Sequence, residues 1–405
     1  MKYSGNRIKY NADLQNFMLG EMVFDFQGLY AYLRQLHDSR SPRGIRYQLA
    51  DVLVLAILAK LGGEDGPHGM AEWLKHRAEM LVTALGLPRT SMPHRVSISR
   101  ILGNTVAIEE LENLLADYFD HQAQGSQEVV IAIDGKTLRG TIDPGQTSGE
   151  HLLAAYLPGE GLVLMQMPVG DKENEIMVAP ELIRVIDLRG KIVVGDAMHT
   201  QRKLSVEVVR NGGHYIWTAK GNQMQVMETI AHLFEPEPVT PGFAPTPTDF
   251  KVATSVNKGH GRIEKRTITV SSMLKDYLDW PYVEQVFKLE RQFTYVKTGR
   301  VSTQISYGLT SLPAEQAFPG QLLSHLRSYW GIENGLHYRR DVTFKEDRCR
   351  LTIGHATRTM ATLNNLVLAL ILRQGFNNVP SARRRFNARP LEALALLFCQ
   401  PDFRL

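Results

Sequence analysis

Three acidic residues stand in settings that could support metal chemistry. Asp134 follows the apolar run "VVIAI", Asp196 follows "KIVVG", and Glu333 lies within "YWGIENGLH". Carboxylate oxygens are the hard ligands that Mg²⁺ and Mn²⁺ prefer. Two such ions, about 3.5–4 Å apart, can activate an attacking water or 3′-hydroxyl and stabilise the leaving oxygen of a phosphodiester. If the fold brings the three acids together, they predict a two-metal site for phosphodiester chemistry.

The two aspartates share one local pattern. Each follows an apolar, β-rich run with glycine beside it, although aspartate is depleted inside strands. In an α/β sheet, a carboxylate at a strand end projects into the crevice where ligands bind. An Asx turn that closes the strand is the alternative, and it is the better explanation for either aspartate alone. The repetition of the pattern at Asp134 and Asp196 favours a shared site.

Glu333 falls on an apolar stripe if its segment is helical. Leu322, Leu326, Trp330, Glu333 and His337 follow one another at spacings of 4, 4, 3 and 4, which place them on one helix face. We therefore expect Glu333 to be buried, where an unpaired carboxylate is costly. An ion pair with His337 or an arginine is one solution, and a metal shared with the aspartates is the other.

The elements that must position these acids change type along the chain. Segments before about residue 121, such as "LADVLVLAILAKL", carry apolar residues at helical spacing. After residue 128, strands and a hairpin come first and then helices alternate with strands, which predicts a mixed α/β sheet. The proline-rich "FEPEPVTPGFAPTPTDF" predicts an exposed linker before further strand candidates, and helices return near residue 319.

This pattern predicts four parts of the chain. A helical N-terminal domain, a candidate for DNA binding, spans 1–125, and the first part of the core spans 126–232. A β-rich insertion with its linker spans 233–318, and C-terminal helices over 319–405 complete the core and end in a basic tail.

Composition limits the class of protein. The 405 residues are 43% hydrophobic and 22% charged, which is typical of a globular chain of two or three domains. The net charge is +4, and residues 321–405 carry 13 Lys/Arg against 6 Asp/Glu, which permits a polyanionic partner or a solvated basic tail. The two cysteines, Cys349 and Cys399, form no CxxC, so a zinc ribbon or disulfide framework is not expected. A reducing compartment is favoured, and neither a signal peptide nor a membrane span is expected.

Several basic segments could contact phosphates. "AKGNQ" and "NKGHGRIEKR" combine glycines with cations, as phosphate-binding loops do, although ordinary turns have the same composition. "LPRTSMPHRVSISRIL" predicts a turn and a short helix with Arg95 and Arg100 exposed, which is either a DNA-reading helix or plain helical packing.

Six stretches together resemble a known family. "IAIDGKTLRG", "KENEI", "VVGDAMHTQ", "TAKGNQ", "KGHGRIEKR" and "YWGIENGLHYRRDVTFKEDRCR" occur in the order found in the ISAs-type insertion-sequence transposases, the H-repeat-associated group. The resemblance covers roughly residues 24–375. It implies a DDE transposase of the α/β class, with a ribonuclease H-like catalytic core, a β-rich insertion and a preceding all-helical N-terminal domain.

The resemblance also implies roles for individual residues. Asp134, Asp196 and Glu333 match the three catalytic acids, which would hold two Mg²⁺ or Mn²⁺ ions. Further matches and neighbours are candidates for DNA contacts, namely Lys136, Arg139, Lys220, Arg262, Lys265, Arg339, Arg340 and Lys345. Candidates for support of the site are His199, Trp330, Asn334 and His337.

One family motif is incomplete. Wider relatives carry Y-x2-R-x3-E-x6-K around the glutamate, and the chain has Leu326, Tyr329 and Arg340 in place of the tyrosine, arginine and lysine. The roles of the first two are therefore in doubt, while Arg340 is still a candidate for holding a phosphate.

The function implied is cleavage of phosphodiester bonds at insertion-sequence ends and strand transfer into target DNA. The implied partner is double-stranded DNA, bound by a homodimer on paired ends, in the bacterial cytoplasm and with the nucleoid when DNA is bound. Two alternatives remain open: a domesticated or defence-type DNA nuclease of the same fold, and a non-catalytic DNA-binding repressor.

Overall fold

The computed structural model describes residues 28–43, 45–122, 130–142, 144–170, 172–235, 247–259 and 261–398. The segment "MKYSGNRIKY", most of the proline-rich linker, the predicted boundary at residue 125 and Cys399 lie outside these ranges. In the described chain, no helix combines the length and the apolar character that crossing a bilayer requires.

The centre of the molecule is a sheet of nine strands, counted over the described ranges. The strands are β1 Val130–Thr137, β2 His151–Leu157, β3 Leu162–Val169, β4 Ile192–Gly195, β5 His214–Ala219, β6 Lys251–Gly259, β7 Arg262–Ser271, β8 Gln285–Tyr295 and β9 Val301–Thr310. Their order across the sheet is β3-β2-β1-β4-β5-β9-β8-β7-β6.

The first five strands lie within residues 126–232, the segment predicted as the first part of the catalytic core. β1, β2 and β3 are antiparallel neighbours, whereas β4 and β5 extend the sheet in parallel on the other side of β1. This arrangement confirms the predicted ribonuclease H-like α/β fold. The predicted β-rich segment continues the same sheet, because β9 pairs antiparallel with β5 and carries β8, β7 and β6 beyond it.

Helices from both ends of the chain share one apolar core. The N-terminal helices are α1 Leu29–Leu33, α2 Leu49–Leu61, α3 Pro67–Lys75, α4 Ala78–Leu85, α5 Arg95–Asn104 and α6 Ile108–Gln122. The C-terminal helices that follow the sheet are α11 Ala356–Arg373, α12 Val379–Ala388 and α13 Pro390–Phe398. α2 is apolar on all faces and buried almost throughout, because it packs against α11, α12 and α13 as well as its own neighbours.

Two features of this helical layer concern the predicted DNA contacts and the position of the chain around Glu333. Arg95 and Arg100 of α5 are exposed, as predicted, and the DNA-reading role of that helix stays a prediction. Buried Arg383 of α12 donates to the carbonyl of Lys60, to the Asp65 carboxylate and to the carbonyl of Thr343, ten residues beyond Glu333. Arg383 therefore connects the helical layer to the chain that follows the predicted glutamate.

The remaining helices connect the strands. They are α7 Glu175–Arg184 between β3 and β4, α8 Arg202–Arg210 between β4 and β5, α9 Met224–Leu233 after β5, and α10 Pro319–Ser328 after β9. Beyond α10 the backbone winds in π-helical turns, Ile332–His337 and Arg339–Thr343, instead of continuing the predicted α-helix.

Candidate active site

The two aspartates leave the sheet side by side. The parallel pairing of β1 with β4 ends at Ile133 and Gly195, and Asp134 and Asp196 are the next residues on the two strands. β1 itself continues to Thr137 on its other edge, where it stays paired with β2. Asp134 is therefore at the end of its pairing with β4, and not at the end of its strand as the sequence suggested.

Asp196 combines the two readings that the sequence left open. Its Oδ1 accepts a hydrogen bond of 2.8 Å from the backbone N–H of Met198, so it does begin a local turn. Asp196 also lines a cavity of about 530 Å³. Asp196 therefore both forms the turn and presents a carboxylate to the cleft, so the two alternatives are compatible at this residue.

Asp134 experiences the negative charge of three other chain segments. Burial, and then the charges of Glu333, Glu175 and Asp196, raise its pKa to about 7, with His199 acting in the opposite direction. Burial and the same four carboxylates also raise the pKa of the nearby Tyr329 hydroxyl. A carboxylate cluster of this kind is electrostatically costly without a cation and is typical of functional sites.

The expected burial of Glu333 is wrong. Ile332, Leu336 and His337 face the core, whereas Glu333 is exposed. The physical reason is the π-helical winding, in which hydrogen bonds join residues five apart. Residues at the predicted α-helical spacing therefore no longer lie on one face. Glu333 therefore stands at the open side of the site, while its charge still acts on Asp134.

His337 faces Asp134 and not the glutamate. Its Nδ1 lies 3.5 Å from Asp134 Oδ2. Burial, and then the positive charges of Arg340 and Lys136, lower the pKa of His337 to about 3, so the imidazole is neutral at physiological pH. The ion pair between Glu333 and His337 that the sequence offered as an alternative to a metal site is therefore not found among these described residues.

Glu175 and His151 belong to the same cluster, and sequence reasoning did not select them. Glu175 begins α7, and its Oε1 lies 2.9 Å from Nε2 of His151 at the start of β2. Its Oε2 lies 3.2 Å from Nε2 of His199, which is fully buried in the turn after Asp196. The sequence signal that could have identified Glu175 is the stretch "KENEI". It was one of the six stretches that carry the family resemblance, but none of its residues was assigned a role.

The other predicted support residues lie around this cluster. Trp330 packs against two guanidinium groups, with Arg291 4.0 Å and Arg266 5.1 Å from its ring centroid. Asn334 is exposed, and its side chain donates to the carbonyl of Trp330. His199 is the support residue in closest contact with the new member, Glu175.

The predicted DNA contacts fall into two groups. The side chain of Lys136 is only 9% exposed and pairs with Asp341 at 2.5 Å, and Arg340 is 1% exposed and pairs with Glu346 at 2.8 Å. Both cations are thus paired with acids inside the protein, although Nη2 of Arg340 has no hydrogen-bond partner among the described residues. The burial of Arg340 does not favour the phosphate-holding role expected of it. The group that is exposed or partly exposed comprises Arg139, Lys220, Arg262, Lys265, Arg339 and Lys345.

Basic side chains line the cleft beside Asp196. The cavity of about 530 Å³ is bounded by Lys220, Arg266, Arg291 and Arg327, with Asp196 as the acid at its wall. A second cavity of similar size shares Arg266 and Arg327 with the first and continues along β6 and β7 past Lys258, Arg262 and Glu264. Together they form a basic path from the carboxylates across the inserted strands, which we call the basic cleft.

The carboxylates suit hard cations by their chemistry. Asp134, Asp196, Glu333 and Glu175 present oxygen donors, which match Mg²⁺ or Mn²⁺ better than softer metals. Over the described residues, no three acidic, histidine or cysteine side chains already meet at ligand distance from one point. Unpartnered buried atoms nevertheless lie here, because Nδ1 of His199 and Nε2 of His337 have no hydrogen-bond partner within the described chain. The donor set thus fits a divalent cation.

Family models and curated relatives match most of the chain. A family model described as Transposase DDE domain matches residues 125–370, and another, described as DDE_Tnp_1-associated, matches residues 30–119. YncI of Escherichia coli O157:H7 is 26% identical over 358 residues, which cover 85% of this chain and 87% of that protein. YhhI of Escherichia coli strain K12 is 24% identical over 364 residues, which cover 86% and 91%. Both carry names that propose a transposase, and the name of YhhI adds that it is H repeat-associated.

Among solved structures, a piggyBac transposase synaptic complex with hairpin DNA is similar to this chain. The TM-score is 0.39 with 12% sequence identity, and the superposition covers 96% of this chain and 80% of the other.

Proposed function

The chain belongs to the family of transposases with a DDE domain, and on this premise we propose that it cleaves phosphodiester bonds at the ends of a DNA element and joins the freed 3′ ends to target DNA. Asp134, Asp196 and Glu333 are the acids of the reaction. The observation that supports this best is the end of the β1–β4 pairing, which places Asp134 and Asp196 next to each other, with the charge of Glu333 acting on Asp134.

These acids would hold Mg²⁺ or Mn²⁺, two ions in each site. When bound, the ions supply Lewis acidity, which favours the attacking oxygen in its ionised form and stabilises the leaving oxygen. The chain itself contributes the positions of the carboxylates: Asp134 and Asp196 where the pairing of β1 with β4 ends, and Glu333 in the π-helical turn Ile332–His337. Asp134 must be ionised to act as a ligand, and a nearby cation favours that state.

The basic cleft would hold the DNA strand. A phosphodiester backbone is the natural counter-ion for a path lined by Lys220, Arg266, Arg291 and Arg327 that begins at Asp196. Arg266 and Arg291 stand opposite each other on β7 and β8, where like charges are unfavourable, and they share the Glu264 carboxylate. Addition of phosphates would relieve this repulsion.

The finer features follow from the same proposal. The substrate would be double-stranded DNA at the ends of the element and at the target, and a homodimer would pair the two ends. We propose that the protein acts in the bacterial cytoplasm and associates with the nucleoid when it is bound to DNA.

The test uses the full-length protein and the DNA that flanks its own reading frame. With Mg²⁺ or Mn²⁺, the wild type is expected to nick at defined positions and to form joined products, which sequencing gels map. Asp134→Asn, Asp196→Asn and Glu333→Gln are expected to abolish both reactions and to retain DNA binding, because only the metal ligands change. Asp276→Asn, which replaces an exposed aspartate, is the matched control and should react like the wild type. Full cleavage by Asp134→Asn would overturn the assignment, and nicking without joined products would reduce the function to that of a nuclease.

A further inference from the structure

Glu175 lies where three segments of the core meet. It is the first residue of α7, its Oε1 lies 2.9 Å from Nε2 of His151 on β2, and its Oε2 lies 3.2 Å from Nε2 of His199 after β4. His151 is in turn 2.8 Å from the hydroxyl of Thr137, its partner across β1 and β2. The carboxylate is therefore held between β2, the neighbour of the strand that carries Asp134, and the turn that begins with Asp196.

The backbone beside Asp134 is shaped around this carboxylate. A Cβ atom at Gly135 would overlap the Glu175 carboxyl group and lie 2.5 Å from Nε2 of His151. A Cβ atom at Gly195 would lie 3.1 Å from atoms of the His199 side chain. The glycines next to the two aspartates thus leave the room that Glu175 and His199 occupy.

Charge gives a second indication of proximity to the site. The charge of Glu175 acts on the Asp134 carboxyl group. The contacts with His151 and His199 favour the ionised form of Glu175. Glu175 therefore adds a fourth negative charge to the cluster of Asp134, Asp196 and Glu333.

The unpartnered atoms point to a ligand in this place. His199 is fully buried; its Nε2 faces Oε2 of Glu175 at 3.2 Å, whereas its Nδ1, like Nε2 of His337, has no hydrogen-bond partner among the described residues. Buried polar atoms are nearly always partnered, and a group of orphaned ones indicates an ion or ordered water. A hydrated cation would partner these atoms and neutralise the carboxylates together.

We propose that Glu175 is a fourth carboxylate of the divalent-metal centre, oriented by His151 and His199. This inference rests on the proposed function, since it assumes that Asp134, Asp196 and Glu333 hold the metal. Histidines that hydrogen-bond a carboxylate fix its direction, and the loss of such outer contacts typically lowers metal affinity by about 10–100-fold. The role differs from that of a structural ion pair because it requires Glu175 to contribute to cation binding itself.

The test measures Mn²⁺ binding to the full-length protein, by electron paramagnetic resonance of the free ion and by titration calorimetry. Glu175→Gln is expected to weaken Mn²⁺ binding by about 10–100-fold, because it removes a charge and an oriented oxygen donor. The matched control is Glu173→Gln, an exposed acid of the same "KENEI" stretch, which should bind like the wild type. Glu175→Asp retains the charge and is expected to bind Mn²⁺ more tightly than Glu175→Gln. Thermal unfolding in EDTA shows whether each variant is folded.

The outcomes separate this inference from the proposed function. If Glu175→Gln is folded and binds Mn²⁺ as tightly as the wild type, while Asp134→Asn binds weakly, Glu175 is not part of the metal centre and the proposed function stands. If Asp134→Asn and Asp196→Asn both bind Mn²⁺ like the wild type, the proposed metal centre itself is overturned. If Glu175→Asp and Glu175→Gln lose affinity equally while the unfolding temperature of both falls, the role of Glu175 is structural and the inference fails.

Discussion

Replacing Asp134 by asparagine is expected to stabilise the metal-free protein at neutral and alkaline pH, although it removes one of the proposed catalytic acids. Burial and the charges of Glu333, Glu175 and Asp196 raise the pKa of Asp134 from 3.8 to about 7. At about 1.36 kcal/mol for each tenfold change in proton affinity, this rise corresponds to about 4 kcal/mol of unfavourable free energy in the ionised form. Relaxation and water near the cleft reduce such repulsion, so a measured gain of about 2 kcal/mol is expected.

The sign of the pH dependence follows from the raised pKa. Well below pH 4, Asp134 is protonated in both the folded and the unfolded protein, and it costs the fold nothing. Between about pH 4 and pH 7 the unfolded chain ionises first, so the free energy of unfolding falls as pH rises, and above pH 7 the full penalty is present. The advantage of Asp134→Asn over the wild type should therefore be small near pH 4 and largest above pH 7.

The assay is urea unfolding in EDTA at about pH 5 and about pH 8, with circular dichroism as the measure of the folded fraction. The difference between wild type and Asp134→Asn isolates this carboxyl from the other titrating groups, and Asp276→Asn on the exposed surface should show no difference. Addition of Mg²⁺ should stabilise the wild type more than the variant, since the cation relieves the repulsion. The reasoning is refuted if the variant is no more stable than the wild type at about pH 8, or if its advantage is as large at about pH 5.

Three further perturbations test the surroundings of the site. Gly135→Ala places a methyl group against the Glu175 carboxylate and is expected to lower the free energy of unfolding by about 1–3 kcal/mol and to slow end cleavage; unchanged urea midpoints and rates would contradict the close packing. Glu346→Gln leaves the buried guanidinium of Arg340 without its ion pair and is expected to cost about 3–5 kcal/mol in urea unfolding, and a cost below about 1 kcal/mol would show that the pair is solvated. Lys220→Ala in the basic cleft should weaken DNA binding and reduce the salt slope of log K by about one, measured by fluorescence anisotropy; an unchanged slope would remove Lys220 from the DNA path.

The order of elements and the family were accessible from the sequence because their signals are local. Apolar runs with period two predict strands wherever they are paired, and the ordered motifs "VVGDAMHTQ" and "YWGIENGLH" carry the resemblance that the family models confirm. The positions of Asp134 and Asp196 followed from the same logic, since an aspartate that interrupts an apolar run tends to stand where pairing stops. That the three acids hold a metal stays a prediction.

Glu333 shows where local periodicity stops being sufficient. Its spacing from Trp330 and His337 predicts one face of an α-helix, but the π-helical turns place Glu333 outside the apolar face, on the open side of the site. The end of the second π-helical turn is contacted from far along the chain, because Arg383 donates a hydrogen bond to the carbonyl of Thr343. The sequence singled out Glu333 because it was expected to be buried. In the structure it is exposed, and the feature that relates it to the site is the action of its charge on Asp134.

The sequence by itself determined the α/β class, the ribonuclease H-like order of elements and the family, because hydrophobic period and ordered motifs belong to short stretches of chain. Tertiary structure alone decided which charges face one another. It enclosed Lys136 and Arg340 with acids, left Lys220 in the cleft, and brought Glu175 from the start of a helix to the two aspartates. The physical reason is that Coulomb interactions and desolvation depend on distance and burial in space, and residues far apart in the chain acquire both only when the sheet and its helices pack together.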